Sequence, residues 1–109
     1  MRNNVIPLSA IAYARSGDKG SGANIGVIAR MEESYPLLID QLTEERVAEF
    51  FKELNPVRVK RYLLPNLCAV NFVLEGVLMG GGSRSLRSDA QGKALGQAIL
   101  EMPIIIRGE

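Results

Sequence analysis

Histidine and tryptophan are absent from this chain of 109 residues, and there is one cysteine. Without histidine there is no Ser-His-Asp or Cys-His relay, because no other side chain titrates near neutrality at its unperturbed pKa. Loss of histidine, with only one thiol, also removes the usual donors for zinc and other transition metals. No clustered carboxylate motif suggests magnesium either, so neither metal nor cofactor is expected. The lone Cys68 cannot close an intramolecular disulfide. It lies in the apolar run Leu67-Cys68-Ala69-Val70, where a buried thiol acting as a small hydrophobe is the expectation.

An excess of charge of either sign is missing too. Thirteen basic and twelve acidic side chains leave a formal charge of +1. That balance argues against nucleic acid, whose binders carry a basic face. Three tyrosines and three phenylalanines are a thin supply for stacking bases. There is no run of about 18 apolar residues for a membrane span, and no apolar stretch of signal-peptide kind follows Met1-Arg2-Asn3-Asn4. A cytoplasmic location follows as the expectation.

What is present is ordinary globular material, 47% hydrophobic and 23% charged, enough for one modest core. Residues 1–109 are read as a single domain. Residues 5–14 are small, apolar and β-permissive and read as one strand, with Pro7 near its start or on an edge. The segment ANIGVIAR (residues 23–30) alternates, with Ala23, Ile25, Val27 and Ala29 on one side, which predicts a half-buried strand paired antiparallel with the first. Residues 33–41 suggest a short helix interrupted at Pro36. Thr43 is an N-cap candidate for a second start, followed by an apolar stripe of Val47, Phe50, Phe51 and Leu54, with Asn55-Pro56 as the stop.

Residues 57–64 read as a basic strand, at an edge or with a half-solvated face, and residues 67–75 as the central strand. A final helix opens on Ser88 with Gln91 as a capping box and buries Ala90, Ala94, Leu95, Ala98, Ile99 and Met102. Its Gly92 and Gly96 each cost about 1 kcal/mol of helix propensity against alanine, so close packing on a sheet should compensate. Ile104 to Ile106 form a terminal strand. The order ββαββαβ implies an α+β two-layer sandwich, an antiparallel sheet with helices on one face, for which a ferredoxin-like arrangement is the simplest form.

Two glycine-rich stretches carry the polar content. ARSGDKGSGANIG (residues 14–26) fails as a dinucleotide fingerprint, because Gly26 falls one place late and a strand follows where a helix is required. It fails as a P-loop because Ala23-Asn24 stand where Lys-Ser/Thr belongs. Two readings stay open: an overlong structural connection between strands in which Asp18 and Asn24 satisfy local amides, or a nest of successive N–H groups that, with Arg15 and Lys19, holds an anion. The second stretch, residues 80–89, leads into the capped helix. There Ser83, Arg84 and Arg87 either face solvent or add contacts to an anion at the helix start. Asn71, polar within the central strand, either ties down a glycine loop or lines a pocket.

ARSGDKG, then ANIGVIAR, then RYLLPNLCAVNFVLEGVLMGGGSRSLRSDAQGKALGQAIL, resemble the C-terminal domain of the AtuA family, the acyclic terpene utilisation proteins, from about Val5 to Ile106. The resemblance implies a ferredoxin-like fold and an association with catabolism of acyclic terpenes and other acyl-CoA compounds. Such proteins carry a large N-terminal domain before this one, so it also implies a stand-alone version acting with a separately encoded AtuA-type large domain. It transfers no catalytic residue. Ser21-Gly22 depart from the asparagine common after GDKG.

The expected function is an accessory or ligand-binding domain, not an enzyme on its own, that self-associates or pairs with the large domain. The candidate site is Arg15, Ser16, Asp18, Lys19, Asn24, Asn71, Ser83, Arg84 and Arg87, with an anionic or CoA-linked small molecule as ligand. Two alternatives are a small enzyme using Asp18 and Lys19 for proton transfer, and a purely structural oligomerisation module.

Overall fold

The alternation in ANIGVIAR becomes a strand with one dry side: Ala23, Ile25, Val27 and Ala29 are buried and Asn24, Gly26 and Ile28 only half so. In the computed structural model, which describes residues 3–19, 22–77 and 92–107, this strand, β3 (Gly22–Ala29), lies inside an antiparallel sheet. Its neighbours are β2 (Ala12–Lys19) and β5 (Ala69–Glu75), and β4 (Arg58–Leu64) closes the far edge, giving the order β2-β3-β5-β4. Val70, Phe72 and Leu74 of β5 repeat the buried alternation of β3. The basic strand is at an edge and the apolar strand is internal, as their compositions require.

Among the described residues, three helices cover the dry face. Helix α1 (Tyr35–Gln41) carries Pro36 in its first turn, so the proline starts this helix and does not interrupt it. Helix α2 (Glu44–Phe50) is capped by Thr43, whose hydroxyl accepts the Arg46 N–H at 3.1 Å. Val47 and Phe51 of the expected stripe are buried, and Phe50 turns partly outward. The chain then tightens into a turn at Lys52–Leu54 and stops at Asn55 in the left-handed region, φ 52°. Helix α3 (Gly92–Ile99) brings Leu95 and Ile99 into the same core, with Met102 beyond its end. Ser88, Ala90, Gln91 and the Ala94 side chain lie outside the described residues.

Two sequence expectations change. Residues 5–14 are not one strand. The chain forms β1 (Asn3–Pro7), a 3₁₀ turn at Leu8–Ala10, and then β2. Pro7 therefore ends a strand, and fully buried Leu8 donates its N–H to the Met102 carbonyl at 2.9 Å. β1 pairs with β6 (Pro103–Arg107) in a separate two-stranded ribbon, with Val5 opposite Ile105. The element order is thus the expected one with its first strand divided.

The second change concerns ARSGDKGSGANIG. It is strand nearly throughout: β2 runs to Lys19 and β3 starts at Gly22, paired with each other, so only residues 20 and 21 connect them. The expected overlong connection rested on the glycine content of the stretch. Gly22 serves close approach instead, since a Cβ there would overlap the Leu74 carbonyl oxygen. Cys68 also differs from expectation. It is half-buried, at φ 51°, at the entry to β5.

Candidate functional site: a hollow on the sheet face opposite the helices

Side chains alternate, so the face of the sheet opposite the helices is set by the register. Arg15, Gly26, Asn71 and Tyr62 fall in one row across the four strands, and Gly17, Asn24, Val73 and Lys60 in the next. Glycine twice, in adjacent rows and strands, leaves a dip between longer neighbours. It is an open hollow of about 300 Å³ lined by Arg15, Ser16, Gly17, Asn24, Gly26 and Asn71.

The polar groups are few and specific. The Asn24 amide Nδ2 donates to Asn71 Oδ1 at 3.4 Å, a long bond between residues 47 apart in the chain. A Cβ on Gly26 would come within 3.6 Å of Asn71 Oδ1, and one on Gly17 within 3.7 Å of Asn24 Oδ1. Arg15 is exposed at the rim. Its guanidinium brings charge and paired donors in the plane that carboxylate and phosphate oxygens fit. Two residues back along the same strand, the Tyr13 ring lies under the Arg30 guanidinium at 4.9 Å. Across the row, Tyr62 is 48% exposed.

Ser16 has its hydroxyl on the other side of β2, where it accepts the Gly96 N–H at 2.8 Å. A Cβ on Gly96 would lie 2.9 Å from that oxygen and 3.3 Å from the Ser16 nitrogen. This close approach is the packing expected to compensate for a glycine in the last helix. It also couples the hollow's edge strand to α3.

Of the nine residues singled out from sequence, the structure brings Arg15, Ser16, Asn24 and Asn71 to one hollow. Asp18 and Lys19 are placed by backbone only, at the end of β2 opposite Ala23 and Gly22. Ser83, Arg84 and Arg87 lie outside the described residues. A nest of successive amides is not what the first stretch forms through Lys19, because β2 is extended and laddered to β3 there. Sequence reasoning missed the floor glycines Gly17 and Gly26 as site residues, and missed Lys60 and Tyr62 on the flank. Their signal, small or polar residues at the outward positions of three strands, becomes visible only with the register.

A larger groove of about 480 Å³ runs between α2 and β6, lined by Glu45, Arg46, Glu49, Phe50, Met102 and Pro103. Its cation is already used: Arg46 donates to the Gln41 and Pro103 carbonyls at 3.2 and 2.9 Å, and Glu49 pairs with Lys52. The smaller hollow keeps its arginine uncommitted to any carboxylate among the described residues. Among those residues no three His, Cys, Asp or Glu side chains come together as metal ligands, and no helix is long and apolar enough to cross a membrane.

An antiparallel sheet with helices packed on one face defines a small α+β domain of the ferredoxin-like kind. The chain belongs to the AtuA ferredoxin-like domain family, which it matches over residues 6–105. Neither a curated protein nor a solved structure matches it.

Proposed function

We propose that this protein is an accessory domain that binds an anionic group, a carboxylate or phosphate of a CoA-linked or small acidic molecule, in the hollow on the sheet face opposite its helices. It works beside an AtuA-type large domain in the breakdown of acyclic terpenes or related acyl-CoA compounds. One observation carries the reading: Arg15, Asn24 and Asn71, distant in sequence, meet around a floor of two glycines. Arginine supplies charge, the two carboxamides supply orientation, and the missing side chains supply room. The metabolic setting is the one that the resemblance to the AtuA proteins implies. The groups that meet in the hollow are a cation and two carboxamides, which hold and orient an anion, so the reading is one of binding.

The test is a titration of the ¹⁵N-labelled chain with inorganic phosphate and, separately, with butyrate. Shifts should concentrate at Gly17, Asn24, Gly26 and Asn71. Arg15→Gln should weaken binding by about tenfold or more, the loss expected for a charge-assisted hydrogen bond, while far-UV circular dichroism stays unchanged. Shifts scattered elsewhere, or an unchanged affinity in Arg15→Gln, would refute the site. In a parallel arm, failure of the chain to co-elute with an AtuA-type large domain would remove the proposed partner.

A further inference from the structure

Each sheet of this fold has two edges; among the described residues two of the four have outward backbone groups bonded by side chains, and a third has a helix packed close against its strand. On β4 the outward N–H of Arg61 is taken by a Glu44 carboxylate oxygen at 2.8 Å. On β2, α3 presses against Arg15 and Ser16 through Gly96. On β6 a side chain imitates a strand: Gln41 Nε2 donates to the Ile105 carbonyl at 2.7 Å, and Gln41 Oε1 accepts the Ile105 N–H at 2.9 Å. Arg46 covers the Pro103 carbonyl beside it at 2.9 Å. The outer edge of β1 has no such cover among the described residues.

The Gln41 bonds also settle which groups that edge presents. Ile105 points both its backbone groups away from β1, so the opposed pair Val5 and Ile105 exchange no hydrogen bonds. Successive residues alternate, so Asn4 and Ile6 bond to β6, whereas Val5 turns its N–H and C=O outward. Asn3 and Pro7 turn outward with it, and Pro7 offers only a carbonyl.

This pattern can pair with a second copy of itself. We propose that two copies of the chain pair through β1, antiparallel, about a two-fold axis at Val5. The Val5 N–H of each copy donates to the Val5 carbonyl of the other, and each Asn3 N–H donates to the Pro7 carbonyl of the other. Pro7 has no N–H to return to the Asn3 carbonyl, which stays open to water, so the contact holds four bonds between the copies. The two ribbons become one sheet in the order β6-β1-β1-β6. Val5 and Ile105, 64% and 40% exposed, then form one continuous apolar row across the dimer. A two-stranded ribbon is the least self-sufficient kind of sheet, and four strands relieve that. An isologous contact of this kind closes after two copies and does not propagate, since the outer edges of the joined sheet are the β6 edges held by Gln41 and Arg46.

The experiment is light scattering coupled to gel filtration on the untagged chain over a range of concentrations. The wild type should run at twice the chain mass of 11.9 kDa. Val5→Pro removes only the outward N–H and leaves every β1–β6 bond intact. Val5→Lys sets two like charges opposite each other on the axis. Both variants should run as monomers with unchanged far-UV circular dichroism. In the wild type the Val5 amide should exchange with deuterium more slowly at high protein concentration than at low. A wild type monomeric at every concentration overturns the proposal, as does a dimer that survives both substitutions with Val5 exchange independent of concentration.

Discussion

Gly96 shows how one residue decides a contact between elements. α3 reaches β2 closely enough for the Gly96 N–H to meet Ser16 Oγ, and a methyl group would stand in that gap. Alanine normally helps a helix by about 1 kcal/mol over glycine. Here overpacking against strand backbone should outweigh that gain, and Gly96→Ala should lower stability by about 1–3 kcal/mol, read as a lower urea midpoint. A higher midpoint would mean that α3 can shift off β2. At Gly76, φ is 84° and a Cβ would meet Val57 Cγ2 at 2.5 Å, so backbone and space there both require glycine. Gly17 and Gly26 are different. Ordinary contact distances surround both, so their smallness serves the hollow more than the fold.

At the scale of elements, the helical layer is joined to the sheet by side chains that finish backbone hydrogen bonds. Arg61 on β4 donates from one guanidinium nitrogen to the Ile39 and Leu42 carbonyls, at 2.8 and 2.7 Å, at the C-terminal end of α1. A cation suits that end, where carbonyls lack helical partners and the dipole is negative. Tyr35 at the other end donates to the Ala69 carbonyl of β5 at 2.9 Å. Arg61→Met keeps the length of the side chain but not its donors, and should cost about 1–3 kcal/mol in urea unfolding. If the loss instead matches that of an exposed control such as Lys52→Met, the contact contributes no more than a surface charge.

At the scale of the whole molecule, the described residues form two sheets of unequal rank sharing one core. Val27, Phe72 and Leu38 belong to it, as do Leu8, Ile104 and Met102 from the ribbon's end of the chain. The internal strands β3 and β5 are hydrogen-bonded on both sides, whereas β1 and β4 are bonded on one. Hydrogen exchange should therefore be slowest at Ile25, Val27, Val70, Phe72 and Leu74, approaching the rate of global unfolding. In the monomeric Val5→Lys variant, β1 should open first. If β1 protection in that variant equals that of β5, ribbon and main sheet unfold as one unit, and the ranking proposed here fails.

Local pattern determined much of this protein. The alternation at residues 23–30, the Thr43 cap, the basic edge strand and the apolar central strand all appear where the sequence puts them, because periodicity, capping and edge polarity depend only on neighbours along the chain. The nearly full match to one family rests on the same local strings. The tertiary structure decided the rest. Whether residues 5–14 stay one strand depended on Leu8, which turns inward to meet the Met102 carbonyl far along the chain. Whether ARSGDKGSGANIG loops or pairs depended on β3 holding it in register, and glycine composition alone pointed the wrong way. The hollow was decided last of all. Arg15, Asn24 and Asn71 were each noticed as separate polar residues, but only the pairing of three strands puts them in adjacent rows. A one-residue slip of any strand would have turned its member into the core.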